Sequence, residues 1–165
     1  IIDKKLLKRC KKYAINFHPG TPEFRGIGSV NFALYNNCKY YGCTAHLISK
    51  RIDSGKIIDV QKFKLRSNYG IDDCLSKTYR LMYIQAKKII NQIFNSNIKL
   101  NYLNNINYTW SNKISKKRDL DKLYEIKKNI TKKELAKVLR ATVTSNFKPY
   151  IKLFNKKFIF TNEKN

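Results

Sequence analysis

Three side chains with complementary chemistry lie close to turn-forming residues in the first third of the chain. Asn16 has an amide that can donate hydrogen bonds, His18 an imidazole that titrates near neutrality, and Asp53 a carboxylate that can orient the imidazole. Acyl transfer to an amine needs donors for the oxyanion of a tetrahedral intermediate and an acceptor for the amine's proton. These residue types therefore indicate acyl transfer to an amine as a reaction class.

The elements predicted around these residues can bring them together. Residues 13–17 predict a strand, and the Pro- and Gly-rich segment after it places His18 on a loop at the carboxyl end, where ligands bind in open α/β sheets. Residues 41–48 and 56–65 alternate as two further strands. Asp53 lies in the polar turn between those strands, so a strand, turn and strand would return it towards His18.

Helical spacing of apolar residues predicts four helices, over residues 1–11, 27–37, 71–96 and 131–141. The last of these begins with a Thr-x-x-Glu capping box. Residues 97–118 predict a meandering connection, and the tail alternates as a β-hairpin that turns at residues 155–156. The pattern predicts an α/β fold in two portions, a first one over 1–96 and an extension with a helix and a hairpin over 97–165.

The chain is strongly basic, with 35 Lys and Arg against 11 Asp and Glu and a formal net charge of +24. Such a charge favours binding to polyanions through counterion release. The excess is spread along the chain, however, and abundant Lys, Asn and Ile are typical of an AT-rich genome. We therefore expect non-specific polyanion binding rather than a dedicated nucleic-acid surface.

Neither membrane segments nor metal sites are indicated. No apolar run approaches membrane-spanning length, and the opening residues lack a signal-peptide stretch, so a cytoplasmic protein is expected. The four cysteines are scattered without a Cys-x-x-Cys pair. We expect incidental thiols, no disulfide and no metal.

The amino-acid sequence around and between these three residues resembles that of a known family. Residues 16–28 read Asn-Phe-His-Pro-Gly-Thr-Pro-Glu-Phe-Arg-Gly-Ile-Gly, residues 41–48 read Tyr-Gly-Cys-Thr-Ala-His-Leu-Ile, and residues 53–58 read Asp-Ser-Gly-Lys-Ile-Ile. In order and spacing this is similar to the formyltransferases that use 10-formyltetrahydrofolate, whose signature is Asn-x-His-Pro, Arg-Gly, Gly-x-Thr-x-His and Asp-x-Gly-x-Ile. The resemblance is densest over residues 13–63, and both histidines of the chain occupy signature positions.

The resemblance implies a catalytic role for three residues. Asn16 would donate to the formyl oxyanion, and His18 would act either as proton acceptor or as imidazolium donor. Asp53 would orient His18 or relay a proton through water. Thr44 and His46 would support the site from a neighbouring strand.

Further residues of the signature would bind the two substrates. Glu23 and Arg25 lie on the loop that leads to Arg-Gly, where they would contact the acceptor or hold the loop by a salt bridge. Ile52 and Asp53 belong to the turn that would line the pocket for 10-formyltetrahydrofolate, the formyl-donor co-substrate. No residue would bind a metal.

The family normally has several strands and helices before the Asn-x-His strand, whereas fifteen residues precede Asn16 here. We therefore expect this chain to be the C-terminal part of a Rossmann-like formyltransferase domain with a mixed, mostly parallel sheet, followed by a small helix and hairpin subdomain. The other wall of the cofactor pocket would come from an upstream sequence. These 165 residues alone are expected to be weakly active or inactive.

Several branches of the family share this site and differ in the acceptor. Residues 16–28 and 31–35 look most like the sugar N-formyltransferases, which modify nucleotide-linked amino dideoxy sugars, and residues 139–142 and 149–154 also resemble that branch over a shorter stretch. Methionyl-tRNA formyltransferase is the alternative that the positive charge favours, although its tRNA-binding β-barrel extension is not recognised. Glycinamide ribonucleotide formyltransferase fits less well, because the chain continues beyond the core helix.

Two further readings concern the state of the protein. A truncated, inactive formyltransferase-like binding module is the non-enzymatic alternative, and the intact Asn16, His18 and Asp53 argue against it. The apolar, aromatic tail is also a candidate interface for a homodimer.

Overall fold

The computed structural model describes residues 4–10, 12–95 and 107–161. The helices within these ranges are α1 Lys4–Arg9, α2 Ser29–Tyr35, α3 Ile71–Asn95, α4 Lys117–Tyr124 and α5 Lys132–Thr142. The strands are β1 Ile15–His18, β2 Arg25–Gly26, β3 Tyr40–Leu47, β4 Ile57–Lys64, β5 Ile114–Ser115, β6 Glu125–Ile126, β7 Tyr150–Leu153 and β8 Lys156–Ile159. No helix in these ranges has both the length and the apolar character needed to cross a bilayer.

A three-stranded sheet in the order β1-β3-β4 carries the polar residues singled out above. Asn16 lies opposite His46, and His18 lies opposite Thr44. Alternate residues of a strand point to the same face, and directly opposed residues share a face. The register therefore collects all four side chains on one side of the sheet.

The α/β class is confirmed, but the described strands of this sheet are all antiparallel. Parallel pairing among the described residues occurs only between β2 and β5 and between β6 and β7. The connection from β3 to β4, residues 48–56, is too short for the crossover that parallel neighbours require. The predicted mostly parallel sheet therefore does not describe these three strands.

The core joins the first and last parts of the chain. Leu34 of α2, Tyr41 of β3 and Cys74 of α3 are fully buried in one apolar cluster, which also contains Ala141 of α5. The Asn31 side chain donates a hydrogen bond of 2.7 Å to the carbonyl of Ala141. Helix α5 thus packs on the same core as the strands that carry the site. The predicted boundary between the two portions of the fold, at residues 96 and 97, lies outside the described residues.

The predicted long helix and C-terminal helix are present, with side-chain caps. The Asp73 carboxylate accepts from the backbone of Gly70 at the start of α3. Thr131 accepts from the backbone of Glu134 at the start of α5, as its capping box predicts.

The C-terminal hairpin is also present, formed by β7 and β8. Its turn lies at Phe154 and Asn155, both with positive φ, one residue earlier than predicted.

The predicted connection over residues 97–118 is wrong in its last part. Of this range the structure describes 107–118, which contain strand β5 and the start of helix α4. Both elements escaped the sequence analysis for a physical reason. A two-residue strand has no detectable alternation, and the apolar stripe of α4, Leu120, Leu123 and Tyr124, covers about one turn among charged residues, which is too short to stand out as a helical period.

Candidate active site

Asp53 lies between the two histidines of the chain. Its Oδ2 is 3.4 Å from Nδ1 of His18, and its Oδ1 is 3.6 Å from Nε2 of His46. Oδ2 also accepts a 2.9 Å hydrogen bond from the backbone N–H of Gly26. Asp53 has a φ of +41°, a conformation that Asp and Asn tolerate better than most residues. The turn after β3 therefore returns the carboxylate to the strand-end loop.

The Asp53 carboxylate is held in its ionised form. Burial alone would raise the pKa of this carboxyl, but the nearby imidazoles of His46 and His18 and the hydrogen bond from the Gly26 N–H together lower it below its ordinary value. An ionised carboxylate at this position attracts positive charge on either imidazole.

His18 is buried, with only 4% of its surface exposed. Its Nε2–H donates to the carbonyl of Phe24 at 2.8 Å, so an oxygen faces each ring nitrogen. Burial lowers the pKa of His18 below its ordinary 6.5, and this outweighs the opposing effect of Asp53. The resting ring is therefore neutral at physiological pH, while the two oxygens are placed to stabilise the imidazolium that forms when it takes up a proton.

His46 fixes the amide of Asn16. Nδ1–H of His46 donates to the carbonyl of Leu47 at 2.8 Å, which makes Nε2 the acceptor in the neutral ring. The Asn16 amide nitrogen donates to Nε2 at 3.0 Å, whereas Asp53 lies too far from that nitrogen for a strong hydrogen bond. One amide hydrogen of Asn16 is thereby oriented, and its second has no partner within the described part of the chain.

Thr44 holds the loop that follows β1. Its hydroxyl donates to the carbonyl of Gly20 at 2.7 Å, and its side chain is fully buried. A Cβ on Gly20 would lie 2.6 Å from Nε2 of His18 and 2.9 Å from Cβ of Ser29. The loop can approach the imidazole this closely only because residue 20 is glycine.

Arg25 is buried and connects three segments. Its Nη1 donates to the carbonyl of Ser111 at 2.7 Å, and its Nη2 donates to that of Ile52 at 2.9 Å. The Ile52 side chain itself is 55% exposed beside this contact. Glu23, whose side chain is about half exposed, forms a 3.2 Å ion pair with Lys62. The roles predicted for these residues in substrate and cofactor binding stay predictions.

Trp110 completes the site, and the sequence analysis did not assign it there. Its ring lies 5.9 Å from that of His18 and 5.0 Å from that of His46, edge-on in both cases. Its Nε1–H donates to the carbonyl of Gly55 at 2.7 Å. It is the only tryptophan of the chain, but no spacing in the sequence relates it to the histidines.

The arrangement can perform acyl transfer chemistry. It offers an oriented amide donor, a buried neutral imidazole that can take up a proton, and a carboxylate that stabilises the resulting cation. Within the described ranges, no group of three or more His, Cys, Asp or Glu side chains is placed to hold a metal ion.

Comparison with known proteins gives a family match over the same region. The sequence profile of the formyl transferase family, "Formyl transferase", matches residues 1–84, about half of the chain. This range contains Asn16, His18, His46 and Asp53.

Sequence relatives and solved structures agree with this match. A methionyl-tRNA formyltransferase of Finegoldia magna is 28% identical over 94 residues, which are 56% of this chain and 29% of that protein. The chain thus spans under a third of that relative's length. The crystal structure of a 4-N formyltransferase from Francisella tularensis is similar with a TM-score of 0.78 and 24% identity, over all of this chain and 67% of that one.

A further solved structure contains bound ligands. The N-formyltransferase from Helicobacter canadensis, in complex with folinic acid and dTDP-3-aminofucose, is similar with a TM-score of 0.64 and 24% identity. The likeness covers 87% of this chain and 52% of that one. At these identities, the structural comparisons show the fold.

Proposed function

Because the chain belongs to the formyl transferase family, we propose that it provides the catalytic residues for transfer of a formyl group from 10-formyltetrahydrofolate to the amino group of a nucleotide-linked amino sugar. The observation that carries the proposal is the contact of Asp53 with both histidines, with Asn16 hydrogen-bonded to one of them. Of these four residues, Asn16, His18 and Asp53 have the chemistry that suits acyl transfer to an amine.

The reaction follows from the state of each group. The amine attacks the formyl carbon, and the oxyanion that develops accepts the second amide hydrogen of Asn16. Nε2 of neutral His18 already carries a proton, which it donates to the carbonyl of Phe24, so Nδ1 takes up the proton that the attacking nitrogen loses, beside the Asp53 carboxylate. Asp53 stabilises the imidazolium, which then returns the proton to N10 of the folate as the intermediate collapses and the C–N10 bond breaks, so that tetrahydrofolate leaves and His18 is neutral again. Removing one oxyanion donor of this kind costs about 3–4 kcal/mol of transition-state stabilisation.

The sugar acceptor is supported by how far the structural likeness extends. The Francisella structure matches all of this chain, including α5 and the hairpin, with a TM-score of 0.78. A phosphoribosylglycinamide formyltransferase from Anaplasma phagocytophilum matches only 56% of the chain, with a TM-score of 0.52. A fold shared through the C-terminal part favours the branch whose members include the Helicobacter complex with an amino sugar nucleotide.

Methionyl-tRNA is the second candidate acceptor. The favouring observation is the sequence match to the Finegoldia enzyme, together with the net charge of +24, which suits a polyanionic substrate. Either acceptor presents a primary amine, so the same three residues would perform the chemistry.

An acceptor screen separates these candidates. The 165-residue chain and the longest natural polypeptide that contains it would be incubated with 10-formyltetrahydrofolate and a dTDP-linked 3- or 4-amino sugar, methionyl-tRNA or glycinamide ribonucleotide. Mass spectrometry would then detect a formylated product. Formylation of the amino sugar alone is expected, and formylation of methionyl-tRNA alone would reject the sugar acceptor.

Two properties of the assembly are also proposed. The hairpin exposes 93% of Phe154, 51% of Phe158 and 59% of Ile159, and we propose that these residues form a homodimer interface. Light scattering should show a dimer that dissociates in Phe158→Glu, and a wild-type monomer at micromolar concentration would reject the interface. Cytoplasmic location and salt-sensitive polyanion binding stay predictions.

A further inference from the structure

We propose that Trp110 is a positioning residue through which the C-terminal part of the chain controls both histidines of the site. The inference rests on the proposed function, in which His18 takes up a proton. Trp110 need not touch a reacting atom, because it acts by packing against the imidazoles.

The first observation is that one indole contacts both rings. Trp110 meets His18 at 65° and His46 at 85°, with ring centroids 5.9 Å and 5.0 Å away. Edge-to-face packing of this kind is a preferred geometry for aromatic pairs. It restricts rotation of both imidazoles, and therefore also holds the Asn16 amide that donates to His46.

The second observation is that the indole is itself anchored. Its Nε1–H donates to the carbonyl of Gly55, two residues after Asp53. The guanidinium of Arg25 lies 5.9 Å from the centre of its ring and donates to the carbonyl of Ser111, the next residue. The backbone N–H of Ser111 donates to the carbonyl of Pro22. The indole is thus connected to the loop after β1 and to the Asp53 turn.

These contacts have an electrostatic consequence. The charged and titratable groups that act on His18 are Asp53, which favours its imidazolium, and His46 and Arg25, which oppose it. Burial is the largest effect and lowers the pKa of His18. Trp110 covers part of the imidazole, so its removal admits water and should move the pKa of His18 upwards towards its ordinary value.

The composition of the chain makes this testable by spectroscopy. The chain contains one tryptophan and two histidines, and all three lie in this cluster. Histidine-labelled NMR titrations of wild type, Trp110→Ala and Trp110→Phe would follow both imidazoles without interference from other residues. Phe147→Ala is the matched control, because Phe147 is an aromatic residue of the same part of the chain with 66% of its surface exposed.

The expected results separate packing from general destabilisation. In Trp110→Ala the midpoint of the His18 titration should rise. The value of kcat/KM should fall about tenfold to a hundredfold, as when a catalytic group is misplaced. The acid limb of the pH profile of kcat/KM should move to higher pH, as the His18 midpoint does. Trp110→Phe keeps an aromatic ring at the position and should largely restore the wild-type midpoint. Phe147→Ala should match wild type in every measurement.

The wild-type protein provides an independent measurement, because protonated imidazole quenches indole fluorescence. Emission of Trp110 should fall on acidification, with the same midpoint as the His18 NMR titration. Two results would overturn the proposal: a folded Trp110→Ala protein with a wild-type His18 midpoint, or wild-type emission that does not follow that midpoint. If no acceptor is formylated while the titrations depend on Trp110, the proposed function fails and the positioning role stands.

Discussion

Replacement of Asp53 tests how the carboxylate serves both the stability of the site and its chemistry. Asp53→Asn keeps the size of the side chain and its tolerance of the observed φ of +41°, but removes the charge. The 2.9 Å hydrogen bond from Gly26 then becomes a neutral one. Charge-assisted hydrogen bonds contribute about 1.5–3 kcal/mol and neutral ones about 0.5–1.5 kcal/mol, so the variant should lose about 1 kcal/mol of stability.

Two further replacements separate the carboxylate from the backbone conformation. Asp53→Ala also loses the remaining hydrogen bond from Gly26. In addition, alanine lacks the polar side chain that lets Asp and Asn tolerate positive φ, and this backbone conformation then costs about 1–2 kcal/mol. We expect a total loss of about 3 kcal/mol. Asp53→Gly loses the same hydrogen bond but adopts positive φ freely, so it should be more stable than Asp53→Ala.

Urea unfolding monitored by Trp110 fluorescence would give these free energies. Formyl transfer in the same variants should fall by about 10²–10⁴-fold even in the well-folded Asp53→Asn, because the imidazolium of His18 loses its counter-charge. An Asp53→Ala protein as stable as Asp53→Asn would refute the structural part of this reasoning. Wild-type turnover in Asp53→Asn would refute the catalytic part.

Three other predictions follow from the described contacts. Because the pKa of His18 is lowered in the folded state from 6.5, the unfolded chain binds the proton more readily, and stability should decrease as pH falls below about 6.5. A His18→Gln protein should show a flatter stability profile in unfolding titrations. Gly42→Ala would place a Cβ 1.8 Å from the carbonyl oxygen of Gln61 on the paired strand, so urea unfolding should show a loss of at least about 1–3 kcal/mol. Arg140→Lys breaks up three hydrogen bonds of 2.8–3.1 Å to loop oxygens, and its melting temperature should fall clearly below that of an exposed Lys148→Arg control.

Much of the site could be predicted from sequence because its parts are coded locally. Strong alternation defined β3 and β4, and turn residues defined the segment that returns Asp53. The pairing of β1 with β3 then places Asn16 opposite His46. The hydrogen bond between these two residues follows from that register, although no local sequence pattern predicts it.

The remaining features depend on contacts between distant segments. Arg25 was predicted to contact the acceptor or to hold its loop by a salt bridge, but the hydrogen bonds of its guanidinium to the backbone carbonyls of residues 52 and 111 could not be derived from the sequence. Trp110 reaches the histidines from residues 107–113, which lie in neither a helix nor a strand. Alternation also identifies a strand without saying which neighbour it pairs with, so the pairing of β1 with β3 could not be derived from the pattern. Such features arise from tertiary packing, which single-sequence patterns do not encode.

The central claim is that Asn16, His18 and Asp53 together transfer a formyl group. The most direct test is a single-turnover assay with 10-formyltetrahydrofolate and the amino sugar nucleotide, in the natural polypeptide that contains these residues, for wild type, His18→Asn, Asp53→Asn and the double variant. Each substitution should slow transfer by about 10²–10⁴-fold, and the double variant should be little slower than the worse single one, because residues that act as a unit are not additive. A His18→Asn protein that transfers the formyl group at the wild-type rate would contradict the account.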